Sequence, residues 1–453
     1  MTTSAVPATT APCRPPGPKG QLLLGNLRDF QRDMLGFVTR CARTHGDLVA
    51  FRLGPRRCVL ANHPDLIEQV LVAQARLFIK HFALRINPIL LGQGLLTSNG
   101  DFWLRQRRLV QPAFSRERVQ SYGTVMVDYT ERQIAAWRDG EERDIHADMM
   151  HLTLAIVAKV LFDADVASDA AEVGEALQVS LDHFSRQFRR LVKLPLFLPT
   201  PANLRLKRAV RRLNAIIHRF IEERRAAGVN RGDLLSMLLH ARDEDDGSRM
   251  TDQQLRDEMM TLFLAGHETT AIAMAWTWYL LATNPEAEAR LTRELAMVLG
   301  DRPPAVSDLP RMKYTEQVVL ESMRLYPPAY MFGREPTQDV VLGGYLIPAG
   351  TTVFMAQWVT HRDPRFFDDP DQFMPERWAE ERIKSLPKYA YFPFGGGPRI
   401  CIGNTFAMME ACLILATIAR KWRFSLKPGH RVEPQPLMTL RPAFGIKGTV
   451  QRR

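Results

Sequence analysis

One cysteine constrains what this chain can become. In Tyr391-Phe392-Pro393-Phe394-Gly395-Gly396-Gly397-Pro398-Arg399-Ile400-Cys401-Ile402-Gly403, glycines frame Cys401 on both sides, and an apolar helical segment over 404–422 follows at once. A thiolate that ligates a metal needs a lowered pKa and backbone N–H groups aimed at its sulfur, and a glycine-rich loop ending at a helix N-terminus supplies both. The loop offers one soft ligand. Structural zinc takes four ligands and commonly a C-x-x-C pair, and Cys13, Cys41, Cys58, Cys401 and Cys412 contain no such pair. A haem iron already holds four porphyrin nitrogens and needs one ligand from the protein. The competing reading, a buried inert cysteine beside a flexible turn, is the weaker one for a cysteine framed in this way.

At about 150 residues per domain, 453 residues would divide in three. Motifs spread from Trp103 to Gly403 must meet at one cofactor, however, so the expectation is a flexible segment over 1–19 and one domain over 20–453. A hydrophobic content of 46% is ample for a large core. The odd, scattered cysteines argue against a disulfide framework and fit a reducing, cytoplasmic setting. The formal charge of +11 is distributed, with no basic low-complexity run or nucleic-acid signature, so no nucleic-acid partner is expected. Residues 1–18 hold no apolar run of the length a spanning helix needs and lack the basic-then-apolar order of a signal peptide, so no membrane anchor is expected.

The pattern Phe394-x-x-Gly397-x-Arg399-x-Cys401-x-Gly403 resembles the cysteine-ligand loop of the cytochrome P-450 superfamily, the haem-thiolate monooxygenases. The resemblance implies haem b with the Cys401 thiolate as axial ligand, and Phe394, Arg399 and Gly403 beside the cofactor. It runs from about residue 20 to the end, with four motifs in order. Trp378 departs from it, standing where many members have Phe. Pro15-Pro16-Gly17-Pro18-Lys19-Gly20 is similar to the hinge that follows the membrane anchor of eukaryotic members.

Trp103 and Arg107 are four apart on a helical segment over 101–110 and share a face. A haem carries two propionates, and an Arg with an indole N–H beside it suits one of them; the family places such a pair here, and Arg334 at a second propionate contact. Segment 251–283 opens with the capping box Thr251-x-x-Gln254, keeps helical spacing through Leu255, Met259, Leu262 and Phe263, and stops at Asn284-Pro285. Its middle, Ala265-Gly266-His267-Glu268-Thr269-Thr270, is an odd choice for packing alone: Gly266 costs about 1 kcal/mol against Ala. Thr269 can bond back to the Ala265 carbonyl and open a groove for a diatomic ligand. These residues resemble the family's acid-alcohol pair, which implies that Glu268 supplies protons and Thr269 steadies bound oxygen; His267 is given no role. Glu321 and Arg324, at i and i+3, are by themselves an unremarkable pair worth about 0.2–0.5 kcal/mol. With Phe373-Met374-Pro375-Glu376-Arg377-Trp378 they resemble the family's Glu-x-x-Arg helix and the arginine of its meander, implying a buried triad of Glu321, Arg324 and Arg377.

Segments 47–53 and 58–62 around Gly54-Pro55 read as a hairpin, as does 343–353, and the tail 436–450 is strand-and-turn text. Segment 119–223 reads as helical, with breaks at Leu194-Pro195, Leu198-Pro199 and Thr200-Pro201 that are expected to form a lid. Arg186, Arg189, Arg190, Arg205, Lys207, Arg208, Arg211 and Arg212 make this part basic and read as solvated faces. The substrate pocket is expected at the loop over 82–98 and at Leu95, Phe263, Ala265, Ala329, Tyr330, Met331, Phe332 and Met438.

The expected fold is mainly α with a small β-rich part. The expected activity is insertion of one oxygen atom of O₂ into an apolar substrate such as a fatty acid, terpenoid or steroid, by a monomer. Electrons are expected from ferredoxin or flavodoxin and its NAD(P)H-dependent reductase, since no flavin or iron–sulfur segment is recognisable. Arg105, Arg108, Arg420, Lys421 and Arg423 are expected to form a basic docking patch for an acidic ferredoxin. Two alternatives stay open, a peroxide-driven or isomerising haem-thiolate enzyme and a non-catalytic haem sensor. A dinucleotide-binding reading of Gly395-Gly396-Gly397 fails for want of a βαβ unit around it.

Overall fold

A computed structural model describes residues 14–85, 88–163, 174–177, 179, 180, 183, 196–228 and 231–453. Arg186, Arg189, Arg190 and the Leu194-Pro195 break lie outside the described residues. Eight helices position the site: α1 (Gly100–Val110), α2 (Gly123–Ala135), α3 (Ile145–Phe162), α4 (Pro201–Ala227), α5 (Asp252–Thr283), α6 (Pro285–Leu299), α7 (Lys313–Leu325) and α8 (Asn404–Lys421).

The axis is α5. Thr251 caps it: its hydroxyl accepts from Gln254 N (3.2 Å) and Gln254 Oε1 accepts from Thr251 N (2.8 Å). Its 32 residues span about 48 Å. Apolar residues occupy every face, as a helix wrapped by others requires, and Met259, Met260, Ala271, Ile272, Met274, Ala275 and Trp276 are buried. α3 lies along it so closely that a Cβ on Gly266 would meet Val157 Cγ2 at 3.2 Å. That contact explains a glycine in mid-helix. By length and composition α3 could cross a membrane, but Leu152, Ile156 and Val160 are buried in the main core with α5, α6, α7 and α8.

The described residues form four small sheets beside the helices. Strands β1 (Leu48–Leu53) and β2 (Arg56–Ala61) form the expected hairpin, Leu53 opposite Arg56 across Gly54-Pro55. With β3 (Phe78–Lys80), β5 (Phe332–Pro336) and β8 (Thr352–Met355) they make a sheet of order β1-β2-β8-β5-β3. The hairpin expected over 343–353 is built otherwise. β6 (Val340–Leu342) pairs with β7 (Tyr345–Ile347), because Gly343 and Gly344 both adopt positive φ and make the two-residue turn between them. That leaves β8, buried along its whole length, to pair with β2 and β5. Strand β4 (Glu141–Asp144), inside text that reads as helical, joins β12 (Lys447–Arg452) and β9 (Trp422–Leu426). The tail forms β10 (Pro434–Pro436) and β11 (Leu440–Pro442), with a turn over 437–439. Of the basic residues on α4, Arg205, Arg208, Arg211 and Arg212 are exposed while Leu206, Val210, Leu213 and Ile217 are buried.

Candidate active site

The cysteine loop is pressed into place by sterics. Gly397 has a φ of +64°, and a Cβ there would lie 1.8 Å from the Leu71 carbonyl oxygen; one on Gly396 would strike the Tyr389 ring at 2.3 Å. Cys401 N donates to the Phe394 carbonyl (2.9 Å), closing the loop. Part of Cys401 faces open space while its sulfur lies deep. Burial pushes the thiol pKa up, and the Gly403 N–H and the Arg107 guanidinium pull it back. Coordination to a metal cation would complete the deprotonation.

Above the loop, four cations converge. Arg399 stacks on the Trp103 ring (4.1 Å to its centroid) and donates to the Ser98 carbonyl (3.2 Å). Among the described residues, Arg334 reaches only the Gly333 carbonyl (3.0 Å) and the Phe332 ring face. Arg107 donates to the Ile400 carbonyl (2.9 Å), tying α1 to the cysteine loop. Lys80, which sequence reasoning missed, bonds the Leu95 carbonyl. Burial and then the Arg399 charge push Arg334 down to about 10, and burial does the same to Arg399. Burial, Arg399 and Arg334 push Lys80 well down against the pull of Glu258. Among the described residues, Arg107, Arg334 and Arg399 form no ion pair with a carboxylate. Buried, mutually repelling cations are costly unless an anion joins them. A haem, with two propionates above a single thiolate, fits this donor set.

On the other side a cavity of about 1580 Å³ opens to the surface, lined by Leu96, Leu264, Ala265, Ala329, Tyr330, Met331, Phe332 and Met438, with Glu268 and Thr269 in its wall. Leu95 and Phe263 are corrections to the expected pocket. Leu95 is buried, its N–H on Glu258 (3.0 Å), and Phe263 packs edge-on against Phe162 (5.9 Å). Their sequence neighbours Leu96 and Leu264 take the two places in the wall. The Thr269 hydroxyl donates to the Ala265 carbonyl (2.7 Å), and Thr153 Oγ1 donates to the His267 carbonyl (2.9 Å). Burial, and secondarily Arg441, hold the His267 ring pKa down to about 3, so it is neutral. Glu268 is not free: its Oε1 accepts from Thr439 Oγ1 (2.6 Å) and from Arg441 Nε (2.7 Å), both buried on the tail hairpin.

Beneath the loop, Glu321 is the hub of a buried network. Arg324 clasps it bidentately (2.8 and 2.8 Å), and Arg377 Nε (3.0 Å), the Met374 N–H (2.9 Å) and the Trp378 indole N–H (3.0 Å) complete its shell. Arg324 also donates to the His361, Pro370 and Gln372 carbonyls. Trp378 thus supplies a hydrogen bond that Phe lacks.

The basic docking patch is not formed as expected. Arg105 pairs with Asp243 (3.3 Å), Arg108 with Asp245 (2.7 Å), Arg420 and Lys421 with Glu131 (2.5 Å each), and Arg423 with Glu288 (3.3 Å). These charges are spent within the chain.

A lone thiolate loop, an anion-seeking cluster of cations and an apolar cavity walled by a hydroxyl-bearing helix define a haem-thiolate protein. The chain belongs to the cytochrome P450 family, whose profile matches residues 15–447. It is 42% identical over 447 residues to the cyclooctatin synthase of Streptomyces melanosporofaciens, covering 97% of this chain and 96% of that protein. It is 38% identical to the cyclooctat-9-en-7-ol 5-monooxygenase of the same organism (90% and 88% covered) and 37% identical to the pentalenene oxygenase of Streptomyces avermitilis (92% and 93%). The protein is a cytochrome P450 monooxygenase of mainly α fold with a small β-rich part, binding haem b through the Cys401 thiolate and taking an apolar substrate, O₂ and electrons from a separate redox protein.

Proposed function

We propose that the substrate is a cyclic terpenoid, hydroxylated or epoxidised at a carbon held over the haem. The apolar cavity carries this reading: Leu96, Leu264, Ala265, Ala329, Met331 and Phe332 line it, and the Tyr330 hydroxyl is already donated to the Leu437 carbonyl (2.6 Å). Such a wall orients a ligand by shape, and the named relatives support the class. A panel of cyclic terpenes, fatty acids and steroids titrated into the ferric protein tests it. Terpenes should give the spectral shift that accompanies displacement of water from iron, and a response to fatty acids alone would overturn the assignment.

Haem supplies the oxygen-activating chemistry when bound. Arg334, Arg399, Lys80 and Arg107 would hold its carboxylates, with Trp103 backing Arg399. Thr269, anchored on the Ala265 carbonyl, presents its hydroxyl oxygen to the cavity and orders the protons that reach the reacting oxygen. Thr269→Ala should leave haem and substrate affinity unchanged and lower product per NAD(P)H about tenfold, the effect of about 1.4 kcal/mol on a branching ratio, with hydrogen peroxide making up the difference. Unchanged coupling would remove Thr269 from the mechanism.

The electron donor is a ferredoxin or flavodoxin meeting a cytoplasmic monomer. With the basic residues paired, the surface beside the cysteine loop is notable for exposed apolar side chains, Leu104 (48%), Val72 (41%) and Ile400 (38%). Leu104→Glu should slow reduction by ferredoxin about tenfold while leaving the CO-bound spectrum and peroxide-supported turnover intact; equal loss of both activities would place Leu104 in folding.

A further inference from the structure

At residues 21–25 the chain makes a tight turn, closed by hydrogen bonds in both directions between Gln21 and Gly25 (2.8 Å each), and Leu22 and Leu23 stand at its tip, 90% and 81% exposed. The turn is fastened to the β1–β2 hairpin. Gly25 has a φ of +58° and is pressed against Arg52, Asn26 N donates to the Arg52 carbonyl (2.7 Å), and Gly54 N donates to the Leu24 carbonyl (3.0 Å). Two adjacent leucines are thus held out into solvent on a rigid mount, without the burial that stabilises an apolar side chain. Cations surround them. Lys19, Arg28, Arg52, Arg56 and Arg57 are exposed, with Asp29 the acid beside them, and among the described residues none of the five cations forms an ion pair. Beside the cysteine loop, by contrast, Arg105, Arg108, Arg420 and Lys421 are all paired. Arg52 and Arg57 stand directly opposite each other across the hairpin, where like charges repel until an anion joins them. The same hairpin borders the cavity: Leu27, Leu53, Pro55 and Arg56 line it, and since Pro55 and Arg56 are also exposed, its mouth lies here.

We propose that this tip docks reversibly on an anionic lipid bilayer, with Leu22 and Leu23 entering the acyl-chain boundary and Lys19, Arg28, Arg52 and Arg57 meeting the headgroup phosphates, so that the cavity mouth faces the membrane. A projecting tip offers a protein partner little of the area, about 800 Å² a side, that a specific interface buries; a fluid bilayer closes around it. The two features act together, since a small apolar insertion or a basic patch alone binds a bilayer weakly. The attraction of each cation to an anionic leaflet fades within the Debye length, about 8 Å at physiological salt, which keeps the docking reversible. Apolar compounds partition from water into lipid, so the mouth opens where such a substrate is concentrated. Docking follows from the surface alone; entry of substrate by this route rests on the reading of an apolar terpenoid substrate.

The test floats holoprotein of wild type, Leu22→Ser/Leu23→Ser and Arg57→Glu with vesicles of phosphatidylcholine alone or of equal parts phosphatidylcholine and phosphatidylglycerol. Wild type should bind the mixed vesicles about tenfold more tightly than the neutral ones, and each variant should bind the mixed vesicles about tenfold more weakly than wild type does. Arg57→Glu should also raise the melting temperature, because Arg52 gains an opposite charge across the hairpin; its weaker binding is then no sign of unfolding. Leu22→Ser/Leu23→Ser should keep the CO-bound spectrum and turn over a terpene in vesicle-free buffer as wild type does, while losing the advantage wild type gains when the terpene is supplied in mixed vesicles. Failure of wild type to bind mixed vesicles, equal binding to both kinds, or variants that bind like wild type would overturn the docking. A wild-type dimer that becomes a monomer in Leu22→Ser/Leu23→Ser, read by sedimentation without vesicles, would overturn it in favour of a second copy on the tip. A wild type that binds mixed vesicles and makes no product from NAD(P)H and O₂ would instead sink the monooxygenase reading, with the docking still standing.

Discussion

Cys401→Ser should abolish the strongly red-shifted Soret band of the reduced, CO-bound protein and leave little or no haem after purification. A serine hydroxyl has no route to the anionic form at neutral pH, and the loop holds no second soft donor to replace the sulfur. The Gly403 N–H and Arg107 guanidinium would then face a neutral group. Fold retention is checked by circular dichroism, since the loop geometry is set by glycine contacts with Leu71 and Tyr389 and not by the sulfur. A Cys401→Ser protein that keeps the band would transfer the ligand role to another residue.

Glu321→Ala should produce the largest loss of stability. The carboxylate accepts from Arg324, Arg377, Trp378 and the Met374 backbone at complete burial. Removing it leaves two buried guanidiniums facing each other, a change worth about 3–5 kcal/mol out of the roughly 5–15 kcal/mol that holds a typical domain folded. Thermal melting and haem content per mole of protein are the measurements. Values equal to wild type would mean that the network is dispensable. Trp378→Phe, restoring the residue common in the family, removes only one neutral donor and should cost about 1–3 kcal/mol.

What could be read in the sequence was what is local in it. The cysteine loop, the Thr251–Gln254 capping box and the Glu-x-x-Arg spacing lie within a few residues, and the folded chain keeps all three. What escaped depends on partners far along the chain. Thr439 and Arg441 meet Glu268 only because the tail hairpin folds back on α5. Lys80 joins Arg334 because β3 pairs with β5. The basic patch failed for the same reason, its carboxylates coming from the stretch over 243–245 and from α2 and α6. Leu95 and Phe263 missed the cavity by one position each: Phe263 lies on α5, where one position is about 100° of rotation, and Leu95 lies in a turn with its N–H tied to Glu258.

The reach of the tail to Glu268 also bears on how the chain is made. Glu268 and Thr439 are 171 positions apart, so at about 5–20 residues per second the ribosome adds the second roughly 10 to 30 s after the first. During that interval α5 exists with a carboxylate whose cation has not been synthesised, and Cys401 has barely preceded it. The central helix therefore cannot be sealed into a finished core while the chain is still growing. A polypeptide ending just short of Arg441 would contain the cysteine loop, the Glu-x-x-Arg pair and the Glu268-Thr269 pair and still bury an acid with no counter-charge, so α5 can be sealed only after the tail hairpin has been made.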